Sequence, residues 1–294
     1  MQRGNLKSYL NLHLIVFIWG FTAILGALIS IDADALVWFR MLFASVFLFL
    51  FLYFNKESFR IPIKEFFKLI FVGLLIAVHW IFFFEAIHVG NVSITLAVFS
   101  LGAFLTSILE PLFYGRKILW YEVFFGLIII AGLAMILQVE INYLSGILYA
   151  LASIIIGVLF TLMNGKLIEK NEPSVITFYE FLAGVFFISI YFLITNKFNS
   201  EFFILTKNDW IYILILSSVC TAYAFTASVK VMRILSPYTV MLTTSLEPVY
   251  GIILAYFIIG GKEKMSIEFY IGAVLIVITV ILNGIVKHYL SNKE

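Results

Sequence analysis

Charge is what this chain has least of. Asp, Glu, Lys and Arg make up 12% of its 294 residues, about half the roughly 25% of a soluble domain. Hydrophobic residues reach 63%, against about 45–50% for soluble domains. A globule of this size has no interior large enough for that much apolar surface, so the solvent is lipid. Long hydrophilic stretches are absent too. The longest predicted loop, about 196–208, is too short for a binding domain, which argues against a receptor ectodomain or a membrane-anchored enzyme. One cysteine, Cys220, excludes an internal disulfide and reads as a packing residue. The net charge of +2 gives no reason to expect nucleic acid. Glycine-rich phosphate loops, paired metal-ligand spacings and a nucleophile–histidine–acid set are all missing, so no cofactor, metal or ATPase activity is expected.

What is present is a succession of apolar runs. Ten of them, at about 10–29, 35–54, 66–88, 91–114, 118–138, 144–165, 174–195, 209–232, 236–259 and 266–286, have the length of membrane-spanning helices. Barrel strands would be half as long and strictly alternating. The expected fold is an all-α polytopic membrane protein. Gly90-Asn91 predicts a tight reversal between spans three and four, with Asn91 as helix cap; Ser236-Pro237 predicts the start of span nine. With the N-terminus inside, Lys and Arg outside the spans divide thirteen to four between inner and outer segments. That bias predicts both termini in the cytoplasm and an even number of spans. Trp38, Trp120 and Trp210 lie near span ends, where an interfacial belt is expected.

The chain also repeats itself. Phe39-Arg40-Met41-Leu42-Phe43-Ala44-Ser45-Val46-Phe47 is echoed by Phe178-Tyr179-Glu180-Phe181-Leu182-Ala183-Gly184-Val185-Phe186. Tyr121-Glu122 with Gly126 is echoed by Ile267-Glu268 with Gly272, Gly115-Arg116-Lys117 by Gly260-Gly261-Lys262, and Gly20 pairs with Gly157. The expected organisation is a segment 1–9, a five-helix repeat over 10–138, a second over 144–286, and a tail 287–294. An odd-numbered unit ends on the side opposite its start, so the second copy is inverted, a known basis for alternating access.

With Trp19-Gly20 in span one, Arg40 in span two, the short hairpin of spans three and four, and Ser236-Pro237 through Leu246-Glu247-Pro248 in span nine, the chain resembles the EamA-type ten-helix members of the drug/metabolite transporter superfamily. The resemblance covers about 12–286. It implies a bacterial inner-membrane carrier of small metabolites, often an exporter, with a central cavity lined mainly by spans one, three, four, six, eight and nine. The small four-helix multidrug members carry an essential carboxylate in their first helix. Span one here has none from Leu10 to Ile29, so their proton-coupled drug efflux does not carry over.

Ionisable residues at mid-membrane are costly and need a partner, water or a function. Glu247 is the deepest carboxylate. Pro248 after it frees the carbonyl of Thr244 and predicts a helix break, tolerated where a helix lines a cavity. Helical spacing puts Thr243, Glu247 and Tyr250 on one face. Glu247 is the leading candidate to bind an amine, a cation or a proton; a structural carboxylate is the alternative. The repeat alignment pairs it with Gly102. His79 in span three is the second candidate, against a packing role. Trp19, Trp80 and Tyr223 are candidates for an aromatic wall. Arg40 is expected to snorkel outward or reach Asp32, Asp34 or Glu85, and Glu85 is a weaker contact candidate. Glu180 is expected to snorkel or pair locally, and Glu110 to pair with Arg116. Asn164 and Gln138, near span ends, carry little weight.

The expected activity is not enzymatic. It is secondary transport, in the export direction, of a small polar metabolite such as an amino acid, with a proton as candidate coupling ion. A passive channel, an intramembrane enzyme and a structural membrane partner stay open as alternatives. Oligomeric state, monomer or homodimer, is not written in the sequence.

Overall fold

The computed structural model describes residues 3–139, 143–259 and 266–291. Within them the chain is helical, with no strand. The helices are α1 (Arg3–Leu28), α2 (Ala33–Phe54), α3 (Ile63–Val89), α4 (Val92–Tyr114), α5 (Trp120–Val139), α6 (Leu144–Leu167), α7 (Pro173–Ile194), α8 (Lys207–Val231), α9 (Pro237–Ile258) and α10 (Ile267–Ser291). Eight are long and apolar enough to cross a membrane; in α5 and α10 the qualifying apolar stretches, Trp120–Gly132 and Ile267–Asn283, are shorter. Large apolar side chains face outward all round: Phe67, Leu112, Phe186 and Phe257 are exposed, as a lipid-facing surface requires. The Gly260-Gly261-Lys262 motif, Lys264 and Lys293 lie outside the described residues, as does the side chain of Gln138.

Helix ends follow local chemistry, and they follow it twice. Asn91 Oδ1 accepts from Ile94 N–H (2.8 Å) and Ser236 Oγ from Thr239 N–H (3.2 Å), so both expected caps form. α2 and α7 are each 22 residues long. Each ends in a left-handed residue, Lys56 or Asn196. After it an N–H reaches back to a carbonyl of the last turn: Glu57 to Leu52 (3.0 Å), Lys197 to Phe192 (2.9 Å). That six-to-one bond is the Schellman closure.

Three helices are interrupted. α4 breaks at Ser100 between Val92–Phe99 and Leu101–Tyr114. α9 breaks at Ser245-Leu246 between Pro237–Thr244 and Glu247–Ile258. α8 carries a π-helical stretch, Leu216–Tyr223. α4 and α9 cross head to tail, the first half of each packing on the second half of the other. α2 meets α7 head to tail as well, with Trp38 Nε1 donating to Ser189 Oγ (2.8 Å) at one end and Phe49 against Phe178 at the other. α3 packs on α6 and α7, while α8 packs on α1 and α2, and α5 lies on α10.

The two ends of the bundle differ. At the end bearing Asp209, Trp38, Phe39, Phe198, Phe202, Phe203 and Trp210 interlock with ring centroids 5.0–6.3 Å apart. Trp38 is buried there rather than in an interfacial belt, because the 198–203 segment folds over it. Asp209 accepts from Ser30 N–H and Oγ–H, both at 2.8 Å. Lys197 lies 2.6 Å from Asp34. Partial burial works against its ammonium, but the hydrogen bond to Asp34 and the charges of Asp34 and Asp32 outweigh that and raise its pKa above the ordinary lysine value. The opposite end, bearing Ser236, holds an open recess of about 620 Å³ lined by Glu110, Tyr114, Glu169, Arg233 and Pro237.

Candidate functional site

A cavity of about 90 Å³ lies among α1, α2, α3, α4, α6, α8 and α9. Its wall is largely aromatic and aliphatic, with Trp19, Trp80, Phe83, Phe99, Phe160 and Phe225 prominent. Into this wall project Arg40, His79, Asn164, Thr244 and Glu247. Met232 lines both the cavity and the recess at the Ser236 end.

Arg40 is 2% exposed. It sits on the buried stripe of α2 with Leu36, Val37 and Ala44, so it points into the bundle. It neither snorkels nor reaches Asp32, Asp34 or Glu85. Its guanidinium carbon lies 3.8 Å from the centroid of Trp80 and 5.5 Å from that of Phe84, a cation–π arrangement. Nε donates to Thr221 Oγ1 at 2.6 Å. Thr221 Oγ1 in turn donates to Leu216 O (2.7 Å), five residues back in the π-helical stretch. The same stretch presents Cys220 O to Trp19 Nε1 at 3.2 Å. The wider turn thus fixes two lining side chains, as π-bulges at functional sites commonly do. Among the described residues Arg40 Nη1 is buried without a hydrogen-bond partner.

Glu247 opens the second half of α9 and is 6% exposed. Among the described residues its carboxylate has no hydrogen-bond or ion-pair partner. It forms no ion pair with Arg40, yet each is close enough to act on the other's charge. The break at Ser245-Leu246 resets the helical face. Thr244, Val240 and Met241 share the cavity with Glu247. Thr243 is not among the lining residues, and Tyr250 packs on Phe17 (5.5 Å) and beside Gly20. The expected Thr243–Glu247–Tyr250 face is therefore corrected: unbroken spacing does not survive the break before Pro248.

His79 Nδ1 is 2.7 Å from Ser153 O. A carbonyl only accepts, so Nδ1 carries the hydrogen, leaving Nε2 unpartnered among the described residues. Ser153 Oγ donates to His79 O at 2.8 Å. The ring approaches Gly157, where a Cβ would stand 2.9 Å from Cε1; glycine is what lets the imidazole come this close to α6. Tyr223 is 48% exposed and Glu85 is half-buried on α3, and neither lines the cavity. Tyr223, at the end of the π-helical stretch, is turned to the lipid face. Glu110 pairs with Arg116 at 2.9 Å as expected, and also accepts from Tyr238 N–H.

Two residues were undervalued by depth alone. Asn164 is 1% exposed, lines the cavity, and donates Nδ2 to Glu180 Oε2 at 3.4 Å. Glu180 is fully buried behind it, neither snorkelling nor ion-paired among the described residues. Spacing gives no signal for the pair, since Asn164 stands three residues before the end of α6 and Glu180 seven residues after the start of α7.

A sequence model of the EamA-like transporter family matches residues 6–138 and again 144–285. The chain belongs to this family, as two successive copies of its unit, within the drug/metabolite transporter superfamily. No curated protein sequence matches it. A solved structure, described only as the crystal structure of a protein, shares 15% identity over 95% of this chain and 98% of its own, with a TM-score of 0.72. That similarity establishes the fold.

Proposed function

With membership of a transporter family as premise, we propose that this protein is a secondary active transporter of a small polar metabolite of amino-acid size, working by alternating access of two inverted five-helix halves and acting as an exporter. On this reading all ten helices cross the inner membrane of a bacterium, and the excess of Lys and Arg on the inner segments favours both termini in its cytoplasm. A proton is the candidate coupling ion.

The observation that carries the reading is the cavity itself. It is built at the meeting of the two repeats, taking Arg40 and His79 from the first and Asn164 and Glu247 from the second. Unpaired charge in an apolar wall is what a solute site needs and what a packed core avoids. Head-to-tail packing of α2 on α7 and α4 on α9 supports inversion, since these are equivalent helices of the two copies. The recess at the Ser236 end and the aromatic closure at the Asp209 end support a state facing the cytoplasm, with the Asp209 end as outer gate. A volume of about 90 Å³ is well under the roughly 300–1,000 Å³ of drug-sized pockets, and favours a compact solute.

Counterflow in proteoliposomes tests this. Saturable uptake stimulated by the same solute on the far side supports a carrier; flux that never saturates points to a channel and overturns it. Cysteines placed in 196–208 should label from outside intact cells. Labelling only after permeabilisation would reverse the orientation.

A further inference from the structure

Arg40 and Glu247, a guanidinium and a carboxyl group, share one cavity and do not pair with each other. This is an expensive arrangement. Each desolvated ion costs several kcal/mol, which only a well-placed, hydrogen-bonded partner offsets. The fold holds them apart: Arg40 is tethered by Thr221 and pressed against Trp80, and Glu247 sits on a separate half-helix of α9. On Arg40 only Nε is committed among the described residues, so the terminal nitrogens of the guanidinium are left over; on Glu247 the whole carboxylate is left over. The rest of the wall is largely apolar and carries no other charged side chain.

We infer that Arg40 and Glu247 are the two poles of a zwitterion site, the Arg40 guanidinium donating to a ligand carboxylate and the Glu247 carboxylate accepting from its ammonium group, with an apolar ligand side chain against Trp19, Phe83, Phe160 and Phe225. This rests on the transporter reading and specifies its solute as a neutral dipolar ion. Either charge of such a ligand alone would leave one protein ion unpaired. A zwitterion satisfies both and enters the bilayer with no net charge. His79 is not required as a pole, because its Nδ1 is committed to Ser153 O.

The test uses the full chain in lipid nanodiscs and follows thermal stabilisation and tryptophan fluorescence. The zwitterions are L-alanine, L-valine, L-leucine, L-methionine and L-phenylalanine. The half-charged controls are leucine methyl ester (cation) and 4-methylpentanoate (anion). At least one zwitterion should bind about ten- to a hundredfold more tightly than either control, the size expected for one hydrogen bond to a charged group. Glu247→Gln should move preference to the anion, Arg40→Gln to the cation. Such opposite shifts are not produced by a general loss of structure. If Arg40→Gln does not fold, Arg40→Lys keeps the charge and should keep the zwitterion preference at lower affinity. No zwitterion binding at 10 mM (about 10⁴-fold above a micromolar Kd), controls binding as well as zwitterions, or folded variants losing all ligands alike would each overturn the inference. Zwitterion binding without counterflow would sink the transporter reading and leave the two poles standing. Counterflow of another solute class would do the reverse.

Discussion

α4 and α9 begin alike and end in different chemistry. Each opens with a side-chain cap, Asn91 or Ser236. Each runs eight residues, breaks at a serine, Ser100 or Ser245, and resumes. Only α9 has proline in the first turn after the break; the corresponding residue of α4 is Ala103, and its own proline, Pro111, comes two turns later. The interruption therefore belongs to the crossing of the two helices, and Pro248 accommodates it, standing in the first turn of the second half where its missing N–H costs nothing. Two residues past the break the helices diverge. α9 has Glu247 facing the cavity, and α4 has Gly102, where a Cβ would come within 2.6 Å of Met241 Cε and 3.0 Å of Ile154 Cδ1. One architecture, used twice, leaves room for a functional group in one copy and for a neighbouring helix in the other.

The largest effect should come from removing what is unique to α9. Glu247→Gln should abolish measurable flux in proteoliposomes while leaving membrane expression at wild-type level; unchanged transport kinetics would return the carboxylate to a structural role. Next is Gly102→Val. Overpacking the crossing should cost about 1–3 kcal/mol, read as a lower thermal midpoint in nanodiscs, and no loss would mean the crossing is looser than described. Asn91→Ala and Ser236→Ala should each cost about 1 kcal/mol, and by similar amounts; a large inequality would show that the two helix starts are not equivalent. Pro248→Ala should matter least, below about 1 kcal/mol, with flux retained. Loss of transport in that variant would make the proline, and not the crossing, the cause of the break.

Much of this was legible in the residues. Spans, caps and repeat follow from local signals: apolar length, Asn or Ser before a helix, and recurring spacing. Of the candidate site residues, Trp19, Arg40, His79, Trp80 and Glu247 do meet in one cavity. They were findable because a charge or a large polar-tipped ring at mid-membrane depth must turn inward. Thr243, Tyr223, Tyr250 and Glu85 lie outside it; on α8 and α9 direction around the helix, unlike depth along it, is altered by the π-turn and the break. Asn164 and Glu180 were passed over because depth counted from helix ends says nothing about which neighbour closes over a side chain.

Apolar length and periodicity act through each residue's own free energy of transfer into lipid, so the sequence by itself determined a helical, membrane-embedded, twice-repeated chain. Which charges end up facing each other without touching was decided only by the tertiary structure. That outcome depends on helix crossings, on the π-helical stretch that tethers Arg40 through Thr221, and on the break that turns Glu247 inward, and no local stretch of residues specifies any of these alone.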